Sequence, residues 1–114
     1  MITLATLPQA TEQEVFDQAV KHLLTQNAVS TGSDGSCKYR GDNGLICAAG
    51  CFISDDEYGP EMEGKGWCFL LSTPQEHKDL ISELQEIHDD CLVEDWECEL
   101  VDLAKRYNLV FNKI

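Results

Sequence analysis

Apolar residues recur at helical spacing soon after the start of the chain, and this pattern predicts a first helix over about 12–26. Its apolar face comprises Val15, Phe16, Ala19, Val20, Leu23 and Leu24. Thr11 and Glu14 have the spacing of a capping box, in which the two side chains satisfy free backbone donors at a helix start. The helix is expected to end at Asn27.

The second half of the chain predicts two more helices. Thr73-Pro74-Gln75-Glu76 reads as a helix start, with Thr as cap, Pro at the first position and Glu completing the box. The apolar stripe that follows comprises Leu80, Ile81, Leu84, Ile87 and Cys91. A third helix begins near Val93, and its inward side comprises Val93, Trp96, Leu100, Val101, Leu103, Ala104 and Tyr107. Lys105 and Arg106 suit the negative end of this helix.

Shorter segments predict the rest of the fold. The flanks of Gly41-Asp42-Asn43-Gly44 predict a short β-hairpin over 37–47, because Asn-Gly supplies the positive φ angles of tight hairpin turns. Residues 48–53 favour a helical turn, with a strand as the alternative. Residues 67–71 are a strand or a buried connection, and residues 109–111 are a terminal strand or a docking tail. We therefore predict an α+β class, mostly helical, with three main helices and one hairpin.

Chain length and composition are those of a single globular domain over residues 1–114, since domains usually have about 100–150 residues. The chain is 43% hydrophobic and 25% charged, as expected for a globular protein. We expect residues 1–10 to form a loosely ordered N-terminal arm. No apolar run is long enough to cross a membrane, and no secretory signal precedes the first helix, so we expect the host cytosol. In that compartment the six cysteines should be reduced, and we expect most of them to be buried.

The formal net charge of −13 changes the functional picture. Only eight residues are Lys or Arg, whereas nucleic-acid binding depends on such residues to neutralise phosphates. Ten acidic residues and no Lys or Arg lie between Asp79 and Asp102. Such a surface repels DNA, RNA and anionic membranes and attracts basic protein surfaces. Direct contact with nucleic acid or with a membrane is therefore disfavoured.

One motif is dense in Cys, Gly and aromatic residues. It reads Cys37-x-Tyr39-Arg40-Gly41-x-x-Gly44-x-x-Cys47-Ala48-x-Gly50, and it continues with an apolar pair, Asp55, Tyr58 and Glu63-Gly64. Over about 11–64 the chain resembles a family of small, uncharacterised proteins of phages, prophages and bacteria. The resemblance implies a phage-type protein but brings no established activity with it.

The same segment supplies the candidate binding residues. Arg40 stands at a tight turn beside Tyr39, where its planar guanidinium could grip a phosphate or carboxylate. The alternative is an internal salt bridge from Arg40 to Asp42, Asp55 or Glu63 that fixes the loop. The candidate binding residues of the segment are Tyr39, Arg40, Asp55, Tyr58, Glu63 and Trp67, and the alternative for Tyr58 and Trp67 is a place in the core.

The cysteines offer a weaker metal hypothesis. Cys37, Cys47 and Cys51 are close in sequence, and the last two have a spacing that zinc permits, but no His lies nearby. His88 and Cys91, one helical turn apart with Cys98 beyond, lack a fourth ligand. Structural burial is the preferred interpretation of both sets, and we expect no cofactor. No cysteine has an evident base, so we expect no catalysis.

The leading hypothesis is a non-enzymatic binding protein that blocks or sequesters a host target, with counter-defence as its role. In one mechanism the acidic residues, above all Glu94, Glu97 and Glu99, contact a basic protein surface. In the other, residues 37–67 form a pocket that captures a small anionic nucleotide signal. A small enzyme or a zinc-binding protein is the third alternative. A homo-oligomer is compatible with the sequence, which does not decide the oligomeric state.

Overall fold

A computed structural model describes residues 1–70 and 73–113, and within them the chain forms three α-helices. They are α1 (Glu12–Gln26), α2 (Lys78–Asp90) and α3 (Trp96–Arg106). The three helices pack against one another in all pairs, and short 3-10 turns connect them. Within the described ranges no helix has both the length and the apolar character that a membrane crossing requires.

Helix α1 forms where the pattern predicts it. Thr11 Oγ1 accepts a hydrogen bond from the backbone N–H of Glu14 at 3.1 Å, and the Glu14 carboxylate accepts one from the Thr11 N–H at 2.8 Å. Both halves of the capping box are thus present. The helix ends at Asn27, whose φ of 52° places it in the left-handed region. The first predicted helix is therefore confirmed at both ends.

Helix α2 begins later than the sequence predicts. The hydroxyl of Thr73 does not cap a helix but donates a hydrogen bond to the Leu70 carbonyl at 3.1 Å. The residue before the helix is His77, whose φ of 65° is left-handed and whose ring bonds to the Ala10 carbonyl at 2.8 Å. This distant contact, and not the capping box at Thr73, sets the start of α2. The prediction of a helix start at 73–76 is wrong.

The third helix agrees better with its prediction. A 3-10 turn over Val93–Asp95 leads directly into α3, and Lys105 and Arg106 lie in its last turn as expected. The helical turn predicted over 48–53 is also present, as a 3-10 helix over Ala49–Phe52. Of the connection predicted over 67–71, the described part contains a 3-10 turn at Trp67–Phe69, and residue 71 lies outside the described residues.

The predicted β-hairpin over 37–47 is wrong, and the predicted α+β class is therefore wrong too. No strand is present within residues 1–70 and 73–113, and only two isolated antiparallel bridges occur there, Thr31 to Cys37 and Arg40 to Ile46. The Asn-Gly turn does form, with φ of 62° at Asn43 and 75° at Gly44, but as a 3-10 turn over Asp42–Gly44. In the part of the chain that the structure describes, the fold is mostly helical and contains no sheet.

Side chains from elsewhere explain why the hairpin does not extend. The Gln26 amide accepts from the backbone N–H of Ile46 and donates to its carbonyl, which His22 also contacts at 2.7 Å. Ser30 Oγ lies within hydrogen-bond distance of the Lys38 and Leu45 carbonyls, at 2.8 and 3.1 Å. These contacts occupy backbone groups that a longer ladder would need.

One continuous core lies between the helices and the 37–64 segment. Its largest fully buried side chains are Trp67, Trp96, Phe16, Phe52, Leu7, Leu23, Leu80, Ile81, Leu84, Leu100, Leu103 and His88. Both ends of the chain contact α1. Ile2 and Gln18 exchange hydrogen bonds at 2.7 and 2.9 Å, and Val110 and Gln13 do so at 2.9 and 2.8 Å. Residues 109–111 therefore dock on the first helix as a tail.

Candidate functional site

The carboxylate of Glu63 holds the Tyr39-Arg40 dipeptide by its backbone. Its Oε1 accepts from the Tyr39 N–H at 2.8 Å, and its Oε2 accepts from the Arg40 N–H at 3.0 Å. The Tyr58 hydroxyl donates to the same Oε2 at 2.7 Å. We call this arrangement of Glu63 with Tyr39, Arg40 and Tyr58 the Glu63 clasp. It joins the two ends of the motif segment.

Arg40 has internal partners at one edge and on one face of its guanidinium. Its Nη2 donates to the Ile53 carbonyl at 2.6 Å and lies 3.2 Å from a carboxylate oxygen of Asp55. The guanidinium also stands over the Tyr58 ring, 5.2 Å from its centre, as in a cation–π contact. The Arg40 side chain is 21% exposed, whereas that of Asp55 is fully exposed, so the Ile53 and Tyr58 contacts hold Arg40 more firmly than the ion pair. The geometry favours the interpretation of Arg40 as an internal tie.

Tyr39 and Trp67 lie in the core. Tyr39 is 6% exposed, and its hydroxyl donates to the Lys65 carbonyl at 2.6 Å. Burial raises the pKa of this hydroxyl well above its usual range, and the neighbouring Cys47 and Glu63 add to the effect. Trp67 is 1% exposed, and its Nε1 is buried without a hydrogen-bond partner within residues 1–70 and 73–113. Neither ring presents a stacking face to a ligand.

The three cysteines of the weak metal hypothesis do not converge. Cys47 Sγ accepts from the Gly50 N–H at 3.2 Å, and Cys51 Sγ donates to the Ala48 carbonyl at 3.1 Å. Burial raises the pKa of Cys47 to about 12 and that of Cys51 further. The described residues contain one cluster with metal-ligand distances, and it includes Cys37 but neither of the other two.

The expectation that most thiols are buried is wrong. All six cysteines lie in the described ranges as free thiols, and only Cys47 is buried there. Cys37, Cys51 and Cys91 are partly exposed, and Cys68 and Cys98 are exposed. The apolar stripes of the sequence placed Cys91 correctly on an inward side and left Cys98 off the inward side of the third helix, but the apolar neighbours of Cys68 gave no sign of its exposure.

The cluster that the structure assembles around Cys37 was not evident from the sequence. Cys37, His88 and Asp89 each offer a ligand atom, and these atoms all lie within 4.8 Å of one another. His88 is fully buried and stacks on Trp96 with ring centres 5.6 Å apart. Spacing along the sequence grouped His88 with Cys91 and Cys98, which the cluster does not include. Cys37 lies 51 positions before His88, so no local sequence pattern relates the two residues.

Hydrogen bonds define the protonation of His88. Its Nε2 accepts from the Ser30 backbone N–H at 2.9 Å, so the ring proton is on Nδ1 and is donated to Asp89 Oδ1 at 2.7 Å. Burial raises the pKa of Cys37 to about 11, with Asp89 as the next cause. A thiol held protonated beside a carboxylate is a poor nucleophile, so this trio does not resemble a catalytic cysteine site.

A cavity of about 240 Å³ opens beside Cys37 and Asp89. Its charged lining residues are of both signs, Lys38 and Lys65 against Glu63 and Asp89. A second cavity, of about 350 Å³, is lined by Arg40 and Lys38 but also by Asp34, Asp42 and Glu63. Neither cavity offers the uniformly positive lining that would draw an anionic ligand out of water.

The acidic residues gather where α2 gives way to α3. We call them the acidic ridge, and they are Glu86, Asp89, Asp90, Glu94, Asp95, Glu97 and Glu99. Glu94 and Glu97 are exposed, and Glu99 is half-buried. Burial raises the pKa of the Cys91 thiol, and the charges of Glu99, Asp90 and Asp95 raise it further.

Comparisons with known proteins identify no relative of this chain. No protein-family model, curated protein or solved structure matches the chain.

Proposed function

We propose that the protein acts by binding a basic protein surface through the acidic ridge, without catalysis. The observation that supports this most is the unbalanced charge of the ridge. No Lys or Arg occurs between Asp79 and Asp102, and among the described ion pairs Lys113 to Glu97, at 3.0 Å, is the only one that brings a Lys or Arg to the ridge. Both side chains of that pair are about half exposed, so it stabilises little.

An exposed apolar residue lies inside the ridge. Leu92, which connects α2 to the turn before α3, is 64% exposed. Single exposed leucines are common, but this one is flanked by Asp90 and Glu94, and both are exposed. The combination suits a basic partner that also presents an apolar side chain, because carboxylates give orientation and on-rate while apolar contact gives affinity.

Ridge charges disfavour folding, which supports a role beyond stability. Like charges at this spacing repel one another, and the first turn of α3 offsets only part of the repulsion for Glu97 and Glu99. Asp89 is the exception among the seven, since it accepts from both His88 and Gln85. Among the described contacts, Glu97 pairs with Lys113 in an exposed ion pair that a partner could displace.

The alternative, a pocket for a small anionic nucleotide near 37–67, has less support. Arg40 would be the main anion ligand, and its guanidinium already contacts Ile53, Asp55 and the Tyr58 ring. The cavity that Arg40 lines has three carboxylates against two cations, and the cavity beside Cys37 has two of each. The resemblance to phage and prophage proteins leads us to place the basic partner in a bacterial host cytosol, where blocking it would serve counter-defence.

Two charge-matched variants test this proposal. The ridge variant replaces Glu94, Glu97 and Glu99 with Gln, and the control replaces Asp56 with Asn and Glu61 and Glu76 with Gln, which are exposed elsewhere. Each variant is three charges less negative than the wild-type −13. The probe is a lysine-rich amphipathic helical peptide, followed by fluorescence anisotropy from low salt to about 0.15 M, where charges are screened beyond ~8 Å.

We expect the ridge variant and Leu92→Ser to lose peptide affinity and the control to keep it. Wild-type affinity should also fall steeply as salt rises. A scrambled peptide of equal charge, without an apolar side, should bind the wild type more weakly. Equal losses in the ridge and control variants would mean that only net charge matters, and the proposal would be wrong. Unchanged affinity in both would also overturn it.

A further inference from the structure

Three side chains of different chemistry meet at the edge of the smaller cavity. Cys37 comes from the motif segment, whereas His88 and Asp89 come from the last turn of α2, and their ligand atoms lie within 4.8 Å of one another. We propose that Cys37, His88 and Asp89 bind a divalent transition-metal ion of the zinc type. This proposal does not depend on a basic partner.

The donor set matches that ion. Zinc accepts thiolate sulfur, imidazole nitrogen and carboxylate oxygen, and a site with three protein ligands keeps one position open. The open position would face the cavity of about 240 Å³, which Cys37 and Asp89 both line. A thiolate and a carboxylate together balance the charge of a divalent cation.

Asp89 is already oriented by Gln85. Its Oδ1 accepts from the Gln85 amide at 2.7 Å, a contact that metal binding can keep, whereas the 2.7 Å bond from His88 Nδ1–H is lost when the metal ion takes Nδ1. Gln85 is itself fixed, because its Oε1 accepts from the Ala49 N–H at 2.8 Å. A ligand carboxylate supported by a hydrogen bond from outside the metal's own ligands is a regular feature of metal sites.

Binding requires two proton movements. The metal ion replaces the thiol proton of Cys37, which leaves to solvent. The proton on His88 Nδ1 must also leave that nitrogen, so that Nδ1 can bind the metal ion. The ring stays neutral because a proton is then carried on Nε2. Nε2–H and the Ser30 N–H are then two donors that face each other, because the Ser30 nitrogen now lies 2.9 Å from Nε2. Ser30 must therefore move, and its Oγ contacts with the Lys38 and Leu45 carbonyls must change with it.

The experiment uses reduced, metal-free protein titrated with Co²⁺ and Zn²⁺. Co²⁺ bound by a thiolate shows a sulfur-to-metal charge-transfer absorption, and Zn²⁺ should displace it. Cys37→Ser should abolish that absorption, and Asp89→Asn should weaken binding. Gln85→Leu, which removes only the supporting contact, should weaken binding by roughly 10–100-fold. The matched control is Cys98→Ser, an exposed cysteine outside the cluster, which should bind like wild type.

Ser30 provides a readout that does not depend on any variant. In wild-type protein, stoichiometric Zn²⁺ should shift the Ser30 amide resonance and increase its hydrogen exchange, because that N–H loses its acceptor. Absence of a cobalt–thiolate absorption in the wild type would overturn the proposal. So would an absorption that survives Cys37→Ser in folded protein, or zinc binding that leaves Ser30 unchanged.

Discussion

Glu63 contacts Arg40 through the backbone, since its Oε2 accepts from the Arg40 N–H at 3.0 Å while the guanidinium binds elsewhere. Glu63 thereby fixes the direction of the chain at Arg40 and leaves the Arg40 side chain to hold the Ile53 carbonyl. Two residues of opposite charge, 23 positions apart, stabilise the same segment by separate routes. The motif that stands out in the sequence is thus explained as a folding element.

Replacement of Glu63 with Gln tests the Glu63 clasp. The variant loses one acceptor oxygen and the charge that strengthens three hydrogen bonds, so we expect the free energy of unfolding to fall by about 1–3 kcal/mol. Urea denaturation measures the change. Glu61→Gln, an exposed carboxylate two residues away, is the control and should have a much smaller effect. Equal effects of the two substitutions would show that the clasp does not stabilise the fold.

Arg40→Ala should destabilise the protein by about 1–3 kcal/mol, because the Ile53 carbonyl loses a charged donor and the Tyr58 ring loses its cation. Arg40→Lys should recover part of the loss through its charge, but not the planar contact with Tyr58. Asp55→Asn should change stability little, since its side chain is fully exposed. Thermal and urea unfolding of the three variants give the order. If Arg40→Ala is as stable as the wild type, Arg40 is not an internal tie and the interpretation as a ligand-binding residue is favoured instead.

The stability of the fold should fall as the pH falls below about 6.5, the usual pKa of histidine. Burial lowers the pKa of His22, and the nearby His88 adds to this, so the folded state prefers the neutral ring. A histidine whose folded pKa is depressed stabilises the fold above its unfolded pKa, and this contribution is lost as the pH falls through the folded pKa.

Unfolding free energies between pH 8 and pH 5 (about one and a half units on either side of the histidine value) measure this effect. His22→Gln keeps a side-chain donor near the Ile46 carbonyl but cannot titrate, so its pH dependence should be shallower than that of the wild type. A slope retained in full by His22→Gln would assign the effect to other groups. The carboxyls of Glu57 and Glu83, whose pKa values are lowered by hydrogen bonds against the opposing effect of burial, should add a further loss only in more acidic solution.

Thiol reactivity should separate the six cysteines into groups. Cys68 and Cys98 are exposed and should react first with a disulfide reagent under native conditions. Cys47 is 1% exposed, and burial raises its pKa to about 12, so it should react only after unfolding. Mass spectrometry of the labelled peptides identifies the order. Early labelling of Cys47 would contradict its buried position just before the Ala49–Phe52 turn.

Local chemistry predicted local structure well. The capping box of Thr11 and Glu14 needs only residues three apart, and α1 formed where it was predicted. The hairpin failed because its backbone partners come from residues that are distant in sequence, above all Glu63. Helix α2 starts late for a similar reason, since His77 bonds to the Ala10 carbonyl, 67 positions away. A periodic pattern contains no information about such contacts.

Whether a candidate site could be predicted also depends on how far apart its residues lie in the sequence. The acidic ridge lies within one short stretch of sequence, residues 86–99, so it could be recognised from charge alone. The metal-ligand cluster joins Cys37 to His88 and Asp89 only after α2 packs on the motif segment. The sequence contains the residue types that zinc prefers, but proximity along the chain grouped Cys37 with Cys47 and Cys51. In the fold those two cysteines form hydrogen bonds with other residues.

The turn over Asp42–Gly44 has a practical consequence. Asn43 and Gly44 are exposed, and a side chain added at Gly44 would meet nothing within 4 Å. The chain is held just before this turn by Glu63 and just after it by Ser30 Oγ at the Leu45 carbonyl. Each doubling of a flexible loop costs only about 0.6 kcal/mol. An epitope or a fluorescent label inserted between Asn43 and Gly44 should therefore extend into solvent and leave both anchors in place.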